Sequence, residues 1–192
     1  HRRHVRREGR AALGGGGLLV GCTSLAGQRD AASAPKTAVS AAAAAPVVAA
    51  GPAQFGVYVE IHPDNRVIIA CPQSEMGQGV HDDLPKILAE ELDADWQRVE
   101  VRMPWADDGF INPITKRHRT ANSESTVIYY ELMRKAGAAA RASLVAAAAA
   151  RWQVSAADCS TENSLVRHAA SGRSATYGEL AAAAAAFPPP ND

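Results

Sequence analysis

The residues of this sequence best suited to chemistry lie in one short run, Ser74-Glu75-Met76-Gly77-Gln78-Gly79. Two glycines flank a carboxamide. Gly77 and Gly79 accept positive φ and let another group approach the backbone closely. Gln78 offers both donors and an acceptor. Val80, Leu84, Ile87, Leu88 and Leu92 follow at helical spacing. The run therefore predicts a strand-to-helix loop whose main-chain N–H groups form an anion cradle at the helix start. A simple turn is the plainer reading of the same spacing.

Other reactive residue types carry less. Asp82 and Asp83 are adjacent, so on a helix they point apart and read as solvated caps. Pro85 leaves two helix starts open. With Asp82 as N-cap it sits in the first turn, where N–H groups lack partners anyway. With a start at Gln78 it kinks the helix, and the Gly79 and Val80 amides face a phosphate. Lys116-Arg117-His118-Arg119 is a local basic run, read first as a solvated loop and second as a phosphate neighbour. Thr120 to Thr126 supplies hydroxyls, an Asn and a Glu just before a long helical pattern, at minimum a set of caps. His168, beside a hairpin, reads as a surface residue. Cys22, Cys71 and Cys159 are odd in number and lack metal-ligand spacing, which argues against an Fe–S or zinc site. Cys71 reads as a small buried hydrophobe.

The elements that must position these residues follow from the apolar pattern. Phe55 to Ile61 alternates as a strand, 62–65 is a turn, and Arg66 to Cys71 returns as the second arm of a hairpin. Val99 to Met103 is a third strand, and Trp96 reads as an apolar cover at the turn before it. Regular structure lapses from Pro104 to Arg119. A long alanine-rich helix runs through Glu131 to Trp152. Cys159–Asn163 and Leu165–His168 look like short strands, continued across Ser171–Ser174 to Thr176. A last helix starts at Tyr177 and runs through Phe187, where Pro188-Pro189-Pro190 stops it. Strand–loop–helix–strand order predicts an α+β fold, a small mixed sheet with packed helices.

Totals set the frame. The 192 residues allow one domain with its own core, and 20 basic residues cancel 20 acidic ones. No global field favours nucleic acid or an anionic membrane. Residues 1–27 read as an export signal: arginines up to Arg10, then a glycine-rich apolar stretch too short to span a bilayer. Arg6-Arg7 resembles a twin-arginine pair, and Leu19-Val20-Gly21-Cys22 resembles a lipoprotein box with Cys22 as the lipidated residue. Export to the periplasm is the expectation, with membrane attachment only through Cys22. Residues 28–53 read as an Ala/Pro tether and 54–192 as the folded part.

The run SEMGQGVHDDLPKILAEELDADWQRVEV resembles the Met-Gly-Gln-Gly segment of the xanthine dehydrogenase and aldehyde oxidase family of molybdenum hydroxylases. Within it, the similarity is to the large-subunit branch typified by isoquinoline 1-oxidoreductase and membrane-associated aldehyde dehydrogenases. Thr120, Ser123 and Ser125 match a Thr-Gly-Gly-Ser-x-Ser loop of that branch, while Ala121 and Asn122 replace its glycines and Glu124 adds a charge. Ala149-Ala150-Arg151-Trp152, Ser171-Gly172-Arg173 and Thr176-Tyr177-Gly178-Glu179-Leu180 extend the resemblance to about Pro190.

The resemblance implies the N-terminal part of a molybdopterin-binding domain, with Met76, Gly77, Gln78, Gly79, Thr120, Ser123 and Ser125 against the cofactor. The Gln78 loop is expected to grip the pyrophosphate of a molybdopterin cytosine dinucleotide. Such enzymes insert a water-derived oxygen at an activated C–H carbon of aldehydes or N-heteroaromatics. Electrons leave through a small 2Fe–2S subunit and, in this branch, a cytochrome c subunit. The family places its glutamate base elsewhere, so Glu75 and Glu90 are candidates by residue type alone and no catalytic residue is assigned. The alternative is an exported, non-catalytic α+β scaffold that has lost the cofactor, prompted by Ala121, Asn122 and Glu124.

Overall fold

A computed structural model describes residues 51–188. The export signal, the Cys22 box, most of the tether and Pro189-Pro190 lie outside the described residues.

The expected strand Phe55–Ile61 is in fact two, β1 (Ala53–Phe55) and β2 (Val59–Ile61), antiparallel with Phe55 opposite Val59. Gly56 takes φ +61, a conformation open to glycine at little cost, and the chain doubles back there. The 62–65 turn returns β3 (Val67–Ala70) antiparallel to β2, as the sequence predicts. β4 (Val99–Arg102) then pairs parallel to β3, with Val67 opposite Val99. A parallel neighbour needs a crossover, and α1 (Val80–Leu92) supplies it. The result is a mixed four-stranded sheet in the order β1-β2-β3-β4, as expected.

Helix α1 starts between the two expected positions, at Val80 with Gly79 as N-cap. Asp82 is therefore a first-turn residue rather than the cap, and it pairs with Lys86 at 2.5 Å. Pro85 lies beyond the first turn and is buried. Leu84, Leu88 and Leu92 are fully buried against Val59, Ile61, Val67 and Ile69 of the sheet. Each such side chain stabilises the fold by about 1.5–3 kcal/mol. Trp96, expected as an apolar cover, is exposed in a 3-10 turn, with the Lys86 ammonium 5.5 Å above its ring.

Helix α2 (Ser125–Trp152) has 28 residues, about 42 Å at 1.5 Å per residue. It packs against α1 at Gly137. A β-carbon there would fall on the Leu88 carbonyl oxygen and lie 3.0 Å from Glu91 Cβ, so only glycine permits the close crossing.

A second sheet, β5 (Cys159–Glu162), β6 (Leu165–His168) and β7 (Arg173–Thr176), is antiparallel throughout. α3 (Tyr177–Ala184) follows, ending before Phe187, and starts with a Thr176–Glu179 capping box. His168 is buried rather than on the surface, with Nδ1 at 2.7 Å from the Ser171 hydroxyl. Its ring faces inward because β6 alternates and Val166 and His168 share the covered face.

Candidate functional site

β3 and β4 run parallel and end side by side, Ala70 opposite Arg102. The Cys71 amide extends the pairing by donating to the Arg102 carbonyl at 2.9 Å. Both chains leave the sheet at the same edge, into the 71–79 loop and the 103–124 segment. Ligands of α/β units gather outside the carboxyl ends of parallel strands, and the Gln78 run lies there because its strand ends there. Cys71 beneath it is buried as expected, and burial pushes its thiol up.

The Gln78 loop is built by its own side chains. The Glu75 carboxylate accepts from the Gly77 amide at 2.7 Å and the Gly79 amide at 3.1 Å through one oxygen, and from the His81 amide at 3.1 Å through the other. These three N–H bonds hold the Glu75 carboxyl well below its ordinary range, at about 2. The anion cradle expected at the helix start therefore exists, and its occupant is the chain's own carboxylate. Gln78 folds back over the loop: its Oε1 accepts from the Met76 amide at 2.6 Å and its Nε2 donates to the Ser74 carbonyl at 2.7 Å. One carboxamide hydrogen and one lone pair are left for another molecule. Gly77 at φ +91 and Gly79 at φ +81 have open space where a β-carbon would stand, so the outer face of the loop can be approached.

The Thr120–Ser125 hydroxyls do not cap α2. Its N-cap is Glu124, without a side-chain cap bond. Thr120 and Ser125 instead tie the two loops together. Thr120 Oγ1 accepts from the Ser74 amide at 2.8 Å, and Ser125 Oγ donates to Gln73 Oε1 at 2.8 Å. Gln73, almost fully buried, is the hub: its carbonyl also lies 2.7 Å from His81 Nε2. Asn122 and Ser123 adopt φ +60 and +55, the left-handed region that asparagine tolerates better than most residues.

Beside this junction lies a cleft of about 130 Å³ lined by Ser74, Met103, Trp105, Phe110, Arg119 and Thr120, among others. Ligand pockets usually measure roughly 300–1,000 Å³, so this one admits only part of a dinucleotide. Two of its apolar lining residues are uncovered: Trp105 is 93% exposed and Met103 52%. Arg119 brings positive charge to the same cleft, which the His118 imidazole also lines. No cluster of three or more His, Cys, Asp or Glu fit to hold a metal occurs among the described residues, and no described helix is long and apolar enough to cross a membrane.

Of the seven expected site residues, Met76, Gly77, Gln78, Gly79 and Ser123 thus belong to the outer face of the two loops, whereas Thr120 and Ser125 face each other's supports. Sequence reasoning missed Gln73 entirely, since one glutamine after a strand carries no signal. Glu75 had one: a carboxylate four residues before a glycine N-cap can reach back to the helix amides.

The family model of the molybdopterin cofactor-binding domain matches residues 25–190. The chain is 46% identical over 152 residues to isoquinoline 1-oxidoreductase subunit beta of Brevundimonas diminuta, covering 78% of this chain and 19% of that protein. It is 28% identical over 126 residues to the membrane-bound aldehyde dehydrogenase (pyrroloquinoline-quinone) of Gluconacetobacter polyoxogenes, covering 66% and 15% respectively. The chain thus spans less than a fifth of the length of these relatives. Two solved structures share the fold with a TM-score of 0.51. Quinoline 2-oxidoreductase from Pseudomonas putida 86 does so at 21% identity, over 70% of this chain and 17% of that one. CO dehydrogenase from Oligotropha carboxidovorans does so at 23% identity, over 70% and 16%.

Proposed function

The chain belongs to the molybdopterin cofactor-binding domain family, and on that premise we propose that its two joined loops hold the cytosine dinucleotide form of the molybdenum cofactor. Met76, Gly77, Gln78, Gly79 and Ser123 are the contacting residues in this reading. Thr120 and Ser125 serve it by fixing one loop against the other. The observation that carries the reading is the junction itself: two loops 46 residues apart, joined at Ser74–Thr120 and leaving glycines with nothing above them.

The residues fit such a group in kind. Gln78 is held from both ends of its carboxamide and still has a donor and an acceptor to offer. Gly77 and Gly79 let a flat ring system lie close to the backbone. Of the two residues that replace the family's glycines, Asn122 keeps a glycine-like backbone angle, φ +60, which favours this reading over a scaffold that has shed its cofactor. When bound, the cofactor supplies the oxygen-inserting and electron-accepting chemistry. The part of this chain is to orient it and to limit solvent around it, the exposed Trp105 and Met76 being the apolar groups at hand.

The wider proposal is a portion of a molybdenum hydroxylase large subunit that acts on aldehydes or N-heteroaromatics. The Brevundimonas relative is named as a beta subunit, which supports a separate small 2Fe–2S subunit as partner. A cytochrome c subunit, export to the periplasm and lipid attachment at Cys22 belong to the same proposal. The test is the molybdenum and pterin content of the complete polypeptide with and without Gln78→Ala. We expect the variant to lose most of both while its stability changes by no more than about 0.5 kcal/mol, as for an exposed substitution. Unchanged metal and pterin would refute the role given to the loop.

A further inference from the structure

Helix starts attract anions because their amides point outward unpaired, and a loop with two glycines ahead of a helix is read as a phosphate site on that ground. Here two of those amides, and one from the loop before them, are committed. Gly77, Gly79 and His81 all donate to Glu75, which uses both carboxylate oxygens. Asp82 and Asp83 add two more carboxylates in the first turn of α1, and of these Asp82 is paired, with Lys86. A phosphate brought to the same donors would have to displace a full negative charge and meet others beside it. Arg119 and the His118 imidazole line the cleft beside Ser74 and Thr120 instead.

We propose that Glu75 determines the specificity of the Gln78 loop: its carboxylate is the built-in occupant of the anion cradle, bars phosphate groups from it, and leaves Gln78 to meet an uncharged hydrogen-bonding edge. This deepens the reading of the loop as a ligand contact but replaces the expectation that it grips the pyrophosphate, and it is tested without the cofactor. The low proton affinity of Glu75 agrees with it, since the occupant stays charged throughout the physiological range.

The experiment uses the full 192-residue chain and inorganic phosphate alone, followed at constant ionic strength by the amide NMR signals of Gly77, Gly79 and His81. In the wild-type chain these signals stay put through millimolar phosphate. In Glu75→Ala they shift saturably, with an apparent affinity at least about tenfold higher, the scale of a charge-assisted contact. Glu75→Gln keeps an oxygen acceptor but drops the charge, so it preserves the loop should the alanine variant distort it. It should gain phosphate to a smaller extent. Wild-type signals that titrate as readily as those of Glu75→Ala would overturn the proposal. So would two variants with native core signals and no phosphate response. Loss of molybdenum on Gln78→Ala is a separate readout, so either idea can fail while the other stands.

Discussion

The two ends of α1 are both polar, and they are held in opposite ways. At its C-terminus, contacts come from far along the chain. The Ser164 amide donates to the Asp93 carbonyl at 2.8 Å, Ser164 Oγ accepts from the Asp95 amide at 2.9 Å, and the Tyr177 hydroxyl donates to the Leu92 carbonyl at 2.7 Å. Arg141 pairs with Asp93 at 3.1 Å, and Thr161 bonds the same carboxylate. Ser164 and Tyr177 are fully buried. At the N-terminus, every bond that the Glu75 and Gln78 side chains make spans six residues or fewer and is exposed. Only Gln73 and Ser74 reach across to the second loop, at Ser125 and Thr120. Distant buried bonds make one end part of the core, while local exposed bonds leave the other free to change its guest without disturbing that core.

That contrast breaks most visibly at Tyr177. Truncation to alanine removes a buried ring and its bond to Leu92, and should cost about 3–5 kcal/mol, read by chemical denaturation. A loss similar to that of a surface substitution would mean the C-terminal end is no more anchored than the loop. Gln73→Leu should cost less, about 1–3 kcal/mol, because it leaves the Ser125 hydroxyl without its acceptor. Its sharper signature is faster hydrogen exchange confined to residues 74–79 and 120–125, with the Tyr177 region unchanged.

The smallest effect is a matter of pH. Glu75 is depressed in the folded chain from 4.5 to about 2, so its contribution is complete above its unfolded value and fades as the pH falls toward 2. The Gly77 and Gly79 amide signals should therefore titrate near pH 2. A midpoint near 4.5 would show that the carboxylate is not bonded to them.

Much of this was legible in the residues. The apolar spacing of Val80, Leu84, Leu88 and Leu92 locates α1, and the alternation around Val67 locates β3, because burial of one face imposes those periods. The glycine pair marks where the backbone turns. Less could be read where an element is short or a side chain has several partners within reach. β1 and β2 have three residues each, too few for alternation to separate them at Gly56. Thr120 and Ser125 have the composition of caps, yet they bond to a loop some fifty residues earlier. His168 reads as surface because the packing over its face of the second sheet is not visible in its neighbours.

By itself the sequence determined the order of the elements, the mixed sheet and the edge from which the Gln78 loop emerges, since hydrophobic period and glycine placement are local properties. Only the tertiary structure decided who fills the helix cradle and which hydroxyls join the two loops. Those outcomes depend on distances between groups that the chain brings together only on folding, and Glu75 prevails there because it is already tethered within reach of three amides.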